Sequence, residues 1–198
     1  MGSIRMPDPV FLFTGMIAQC EEIFSLAQSE LKMSFGEVFY QSPIYPWDHS
    51  DYYEEEIGRD LKRRFLFFAE PILPDRLSDV KIGTNRIEGL FLNKTGRNGK
   101  RMINIDPGYM NMAKVVLATT KDFSHRIYLK DGIYAEVTLI YRGDSYCPLP
   151  YTFPDFRSED YIGLFNSVRE ELKSSSKILS GFHYLSIPKP LSPKRKTI

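Results

Sequence analysis

Cysteine and histidine are scarce in this chain of 198 residues, which contains two cysteines and three histidines. Cys20 and Cys147 lie far apart and show no C-x-x-C spacing, so they predict free thiols in a reducing compartment. The histidines, His49, His125 and His183, form neither an H-x-x-x-H nor an H-E-x-x-H pattern. The sequence therefore does not support a disulfide framework, or a zinc site built on these residues.

Long apolar runs and an excess of one charge are also absent. The longest early apolar stretch, residues 10–18, is interrupted by Thr14 and Gly15, and it is too short to cross a membrane and lacks signal-peptide flanks. We therefore expect a cytoplasmic protein without a membrane partner. Lysine and arginine number 26 against 25 acidic residues, a net charge of +1, which argues against a dedicated DNA-binding protein. No G-x-x-x-x-G-K-[ST] motif is present, which argues against a P-loop nucleotide site.

Apolar and aromatic residues, in contrast, are plentiful. Hydrophobic residues make up 42% of the chain and aromatic residues 14%, and a chain of this length can bury roughly 70% of the surface that it exposes when unfolded. We expect one α+β domain over residues 1–180. Residues 181–198 form a basic, proline-containing tail, which we expect to be disordered.

The hydrophobic pattern predicts a β-α-β unit that occurs twice. The expected elements are a strand over Val10–Ile17, a helix over Gln19–Lys32, a β-rich run over Glu37–Tyr45, a short helix over Asp51–Leu61, a strand over Arg64–Ile72, a long helix that opens at Pro74 and Asp75, an exposed basic loop over Asn93–Lys100 and a strand over Arg101–Asp106 that stops at Pro107 and Gly108. This order is typical of a ferredoxin-like split βαβ sheet with its helices on one face.

The second half of the chain predicts an extension of this ferredoxin-like half by an antiparallel β-hairpin and a final helix. The expected elements are strands over Lys114–Thr120, Arg126–Leu129 and Ile133–Tyr141, and a helix over Ser158–Ser174 with Ser158 as its N-cap.

Two registers compete in the hairpin. A two-residue loop of Asp131 and Gly132 would place Ile127 opposite Glu136, which sets an apolar side chain against a charged one. A three-residue loop pairs Leu129 with Ile133, Tyr128 with Tyr134, Ile127 with Ala135 and Arg126 with Glu136. We prefer the second register because it sorts every pair into an apolar or a polar face, with Thr138 on the same face as Glu136.

Polar side chains gather on one predicted face of the sheet. In the strand over 101–106, Ile103 and Ile105 point one way and Asn104 and Asp106 the other. The candidate ligand-binding residues are Asn104, Arg126, Thr138, Asp155, Arg157, Lys81, Asn85 and Glu88, and the candidate catalytic residues are His125, Lys121, Asp106 and Glu136. A surface network of ion pairs would show the same residue types, and the sequence leaves that alternative open.

The acids of this set suggest a metal. Asp106, Glu136 and Asp155 offer the hard oxygen ligands that Mg²⁺ or Mn²⁺ prefers. His125, beside Arg126, is the histidine best placed in the sequence for proton transfer or for contact with phosphate. The alternative, in which the acids simply pair with neighbouring cations, remains open.

Several segments together resemble a known family of bacteria and archaea, the "domain of unknown function four-four-one-six" proteins. They are Asn104–Tyr109, Leu117–Asp122, His125–Leu129, Gly132–Leu139 and Thr152–Asp155, together with Tyr53–Gly58 and the helical pattern from Lys81 to Glu88. The resemblance covers about Pro9 to Leu172. It implies a single-domain protein, but no reaction, because no activity is established for the family.

Two functions of different classes fit the sequence. The first is a metal-assisted hydrolase or transferase that acts on a phosphorylated or nucleotide-like substrate. The second is a non-catalytic module that binds an anionic metabolite or single-stranded RNA. The convergence of a histidine, several acids and several cations slightly favours the enzyme.

Overall fold

The computed structural model describes residues 2–48, 53, 56–92 and 101–179. The predicted basic loop Asn93–Lys100 and the tail 181–198 lie outside these residues, as do His49 and His183. The helices of the described residues are α1 (Glu21–Phe35), α2 (Leu77–Leu90) and α3 (Glu159–Leu179). The strands are β1 (Val10–Ala18), β2 (Val38–Gln41), β3 (Tyr45–Pro46), β4 (Lys62–Ile72), β5 (Ile103–Met110), β6 (Lys114–Thr119), β7 (Ile127–Lys130), β8 (Ile133–Arg142) and β9 (Ser145–Pro148).

These strands form one large antiparallel sheet in the described part of the chain. Its order is β2-β4-β1-β5-β6-β8-β7, with β3 paired to β4 and β9 paired to β8. The predicted α+β class is therefore confirmed, as a large antiparallel sheet with three helices. No helix among the described residues is long and apolar enough to cross a membrane.

Apolar side chains cover both faces of the sheet. On one face, Leu12 and Met16 of β1 pack with Phe24 and Leu31 of α1 and with residues of α2. On the other face, aromatic rings dominate, and Phe165 of α3 packs edge-on against Phe13 at a centroid distance of 5.1 Å. The helix α3 begins where the sequence predicts, because the Tyr161 N–H donates to Ser158 Oγ at 3.3 Å.

The predicted short helix over 51–61 is wrong over residues 56–61. Residues 56–61 form turns and bends instead. Gly58 and Asp60 have φ angles of 120° and 55°, and a right-handed helix cannot contain such angles.

The predicted strand end at Pro107 and Gly108 is also wrong, because β5 continues to Met110. On the open side of β5, the Ile105 N–H donates to Glu88 Oε1 at 2.6 Å and the Ile105 carbonyl accepts from Lys81 Nζ at 3.0 Å. Alternation along a strand turns the Pro107 nitrogen to the same open side. Its missing N–H therefore removes no bond between strands.

The hairpin combines the two predicted registers. Ile127 pairs with Ala135 and Tyr128 with Tyr134, as the preferred register predicts, but Lys130 and not Leu129 lies opposite Ile133. The loop has two residues, Asp131 and Gly132, with φ angles of 53° and 77°. The irregularity between Tyr128 and Lys130 lets the two-residue loop coexist with the pairing of Ile127 with Ala135.

Candidate functional site

A split in the sheet creates the candidate site. The strands β5 and β6 pair only over Gly108 to Met110, whereas β5 stays paired to β1 as far as Ile103 and β6 stays paired to β8 as far as Thr119. From Pro107 back to Ile103, β5 therefore diverges from β6. A cavity of about 560 Å³ lies in this opening, with walls from both strands, from α2 and from the loops around residues 120 and 154.

Most of the predicted site residues line this cavity. They are Lys81, Asn85, Glu88, Asn104, Asp106, Lys121, Arg126, Glu136 and Asp155. Ile103 and Ile105 pack into the core below α1 and α2, so the predicted alternation along β5 holds. Nine residues that the sequence analysis selected, from positions 81 to 155, therefore lie around one cavity.

Three predicted residues lie outside the cavity wall. His125 stands behind Glu136, with 3.2 Å between His125 Nε2 and Glu136 Oε2, and its ring stacks on Tyr151 at 4.4 Å. Thr138 is fully buried. Arg157 donates to the carbonyls of Thr152, Leu149 and Pro150, so it fixes the loop that carries the wall residues Phe153 and Pro154.

Arg63 is the most informative residue that the sequence did not reveal. It lies on β4, is 3% exposed and lines the cavity. Its Nη2 donates to Asp155 Oδ2 at 2.7 Å, whereas Nη1 lies 3.8 Å from Asp106 Oδ2 and has no hydrogen-bond acceptor among the described residues. Burial lowers the pKa of Arg63, but Asp155, Tyr161 and Asp106 raise it by more, so the guanidinium remains a buried cation.

A glycine makes room for this guanidinium. Gly15 of β1 lies beside Phe65 of β4 in the sheet, and a Cβ at Gly15 would lie 2.6 Å from Arg63 Nη1 and 2.9 Å from Phe65 Cε1. Any larger residue would displace one of these groups. The signal in the sequence is an arginine within a strand rich in aromatic residues. It does not identify the partner of this arginine, because Asp155 lies 92 positions away.

A second polar cluster lies where α2 meets the open side of β5. Lys81 Nζ lies 3.6 Å from Asp106 Oδ1, and Asn104 Nδ2 donates to Asp106 Oδ2 at 2.6 Å. Glu88 accepts from Arg101 Nη1 at 3.0 Å. Burial raises the pKa of Glu88, and Lys81, the Ile105 N–H and Arg101 offset this only in part.

The third cluster surrounds Glu136 on β8. Arg126 Nε donates to Glu136 Oε2 at 2.8 Å, which confirms the predicted contact between these two residues. The Arg126 guanidinium lies 4.5 Å from the ring centre of Phe123 and 5.8 Å from that of Phe153. Both rings line the cavity and are partly exposed, at 53% and 41%. Glu136 Oε1 is buried and has no hydrogen-bond donor among the described residues.

The three predicted metal ligands do not meet. In the part of the chain that the structure describes, no group of three or more His, Cys, Asp or Glu side chains is placed to hold a metal ion. Asp106 lies near Lys81 and Arg63, Asp155 binds Arg63, and Glu136 binds Arg126. Each carboxylate therefore has a cationic neighbour, as in the ion-pair alternative.

Comparison with known proteins places the chain in a family. A family model described as "Domain of unknown function (DUF4416)" matches residues 8–172, which include every residue of the cavity wall named above. The chain belongs to the DUF4416 family. The comparisons found no match among curated proteins or among solved structures. Family membership of this DUF4416 protein therefore identifies no reaction, and its function has to be inferred from the cavity.

Proposed function

We propose that this DUF4416 protein binds a small phosphorylated compound in the cavity between β5 and β6. One observation carries the proposal: Arg63 is a buried cation at the wall of the cavity, and its Nη1 group has no acceptor among the described residues. A buried donor without a partner costs roughly 1–3 kcal/mol, and more when it is charged. A phosphate oxygen would accept from Nη1 and regain this free energy on binding.

Neighbouring groups support the same occupant. Lys81 Nζ lies near Asp106, as Arg63 does, so two cations lie close to one partly exposed carboxylate. Phosphate carries about two negative charges near neutral pH. A bound phosphate would therefore neutralise the charges of Arg63 and Lys81, as Asp106 does in its absence. The volume of the cavity, about 560 Å³, favours a small molecule over single-stranded RNA, which needs a groove that follows its backbone.

A metal-assisted hydrolase or transferase is the second candidate. Its supporting observation is Asp106, whose side chain is 27% exposed in the cavity and which could share a Mg²⁺ or Mn²⁺ ion with a bound phosphate. Such ions are often held by one or two carboxylates together with substrate phosphates. On this hypothesis Lys121 would neutralise phosphate oxygens.

The strand order suggests how the fold provides this cavity. We propose that the half containing β2, β4, β1 and β5, with α1 and α2 on one face, is a ferredoxin-like unit within one domain. The strands β6 to β9 then extend this unit, and the cavity marks the place where the extension begins.

The experiment uses a tryptophan as a local probe. The chain contains one tryptophan, and Trp47 lines the cavity with its Nε1 3.3 Å from Asp155 Oδ2. We expect its fluorescence to change on titration with inorganic phosphate, sugar phosphates or nucleoside monophosphates, and we expect Arg63→Lys to weaken that binding about tenfold. The control is Arg64→Lys, because Arg64 packs over Phe24 on the opposite face. Equal binding by both variants, or no binding by the native protein, would reject the proposal.

Mg²⁺ and Mn²⁺ form a separate arm of the same titration. Enhanced binding of phosphate in the presence of either ion, lost in Asp106→Asn, would favour the catalytic candidate. Phosphate binding that neither ion alters would favour the binding module.

A further inference from the structure

Glu136 presents a hydrogen-bond acceptor that none of the described residues uses. The residue is 2% exposed and lines the cavity. Both partners of its carboxylate, Arg126 Nε at 2.8 Å and His125 Nε2 at 3.2 Å, contact Oε2. The other oxygen, Oε1, has no donor within the described part of the chain. A buried carboxylate oxygen in this state favours a ligand that donates to it.

We infer that Glu136 recognises an N–H group on a flat ring of the ligand, so that the ligand of this cavity is a phosphorylated heterocycle of the nucleotide type. This inference rests on the function proposed above, in which Arg63 and Lys81 hold the phosphate. Arg63 lies on β4 and Glu136 on β8, so the two groups come from opposite sides of the split. The ligand must reach both walls.

The surroundings of Glu136 support a ring as the donor. Phe123 and Phe153 are partly exposed at the cavity wall, and the guanidinium of Arg126 lies beside both of their rings. Aromatic faces and guanidinium planes stack on flat heterocycles. The ion pair with Arg126 already compensates the charge of Glu136, so the Oε1 atom suits a neutral N–H donor.

Substitution of Glu136 by glutamine replaces the acceptor Oε1 with a hydrogen-bond donor. Arg126 Nε donates toward the position of Oε2, so the oxygen of the new amide must take that position. The amide NH₂ then occupies the position of Oε1, where it places a donor in the wall of the cavity instead of an acceptor. Glu136→Gln therefore retains the shape and the contact with Arg126, but it opposes an N–H group on the ligand.

The test compares ligands that differ in the base. The native protein is titrated with the common ribonucleoside monophosphates and with two analogues whose bases carry no N–H, the 5′-monophosphates of purine riboside and of 2-pyrimidinone riboside. We expect at least one common nucleotide to bind about tenfold more tightly than both analogues. Equal affinity for the common nucleotides and the analogues would overturn the inference, and this comparison does not depend on the folding of any variant.

The variant supplies the second comparison. In Glu136→Gln, we expect the preference for the N–H-bearing bases to fall to about twofold or less. Glu171→Gln on the exposed side of α3 is the matched control.

An unchanged preference in Glu136→Gln would overturn the inference. A preference that disappears with 2′,3′-dideoxy nucleotides would also overturn it, because a sugar hydroxyl would then be the donor. Binding of phosphate without any preference among bases would reject the inference alone, whereas no binding of phosphate or nucleotide would reject the proposed function as well.

Discussion

Arg63 and Asp155 form a buried ion pair, with 2.7 Å between Nη2 and Oδ2, across 92 positions of sequence. The pair joins β4 to the 3₁₀ turn that precedes α3 (Asp155–Arg157). Asp155 is almost fully used, since Oδ1 accepts from the Phe156 N–H and Oδ2 also accepts from Trp47 Nε1. Arg63, in contrast, retains a donor that no described residue accepts. Because of this asymmetry we expect Arg63 to bind the ligand and Asp155 to position Arg63.

Removing one member of this pair should destabilise the protein strongly. We expect Arg63→Met to lower the free energy of unfolding by about 3–5 kcal/mol, because Asp155 becomes a buried charge without its partner. The double variant Arg63→Met/Asp155→Asn should recover part of this loss, since neither charge then remains. Urea denaturation of both variants and of Asp155→Asn measures the coupling. Additive effects of the two substitutions would show that the pair contributes nothing.

Gly15 should be needed for both stability and binding. We expect Gly15→Ala to cost about 1–3 kcal/mol, because the new Cβ overlaps Arg63 Nη1 and Phe65. It should also weaken phosphate binding, measured by Trp47 fluorescence. Gly163→Ala is the control, since this exposed glycine within α3 has open space around it and alanine there should stabilise by about 0.5–1 kcal/mol. A Gly15→Ala protein that binds phosphate as the native protein does would contradict the proposed role of Arg63 in binding.

The pH dependence of stability should carry the signature of Glu88. Burial raises the pKa of Glu88 in the folded state, so this group favours folding most below its unfolded pKa and loses that contribution as the pH rises through its folded pKa. The cost of Glu88→Gln, measured by urea denaturation, should therefore be smaller at about pH 8 than at about pH 4. Glu171→Gln on the exposed side of α3 should show no such trend. A cost that grows with pH would mean that Arg101 and Lys81 dominate over burial.

The turn of the hairpin should depend on backbone conformation alone. Gly132 has a φ of 77°, and a Cβ added there would meet no atom within 4 Å, so Gly132→Ala introduces strain but no overlap. We expect a loss of about 1–2 kcal/mol in thermal or urea denaturation. Gly89→Ala in α2, which also has open space but an ordinary φ, should instead stabilise. Equal effects of the two substitutions would show that the turn relaxes.

Local patterns explain the parts of the site that the sequence predicts. Alternation along β5 places Asn104 and Asp106 on the face opposite Ile103 and Ile105, and hairpin geometry brings Arg126 to Glu136. These relations span only a few residues, so the order of polar and apolar side chains in the sequence is enough to predict them. The resemblance to the family adds no role for any of these residues.

Relations between distant segments explain what the sequence does not predict. Arg63 sits in a strand of buried aromatic residues, and nothing near it in sequence shows that Asp155 will lie beside it. The gap between β5 and β6 is equally hidden, because Lys81 and Glu88 of another element satisfy the backbone of Ile105 in place of a neighbouring strand. This substitution of side chains for a strand also explains why Pro107 does not end β5.

The split between β5 and β6 has a consequence for the order in which the protein is made. The strands β1, β2, β4 and β5 all precede residue 111, and β6 to β9 all follow residue 113, so a ribosome completes one side of the opening before it starts the other. At roughly 5–20 residues per second, Arg63 waits several seconds for the emergence of Asp155. During that interval the guanidinium lacks Asp155, and only Asp106 of the carboxylates near it has been made. We therefore expect the residue that holds the ligand also to delay the burial of the first half of the sheet until Asp155 has been made.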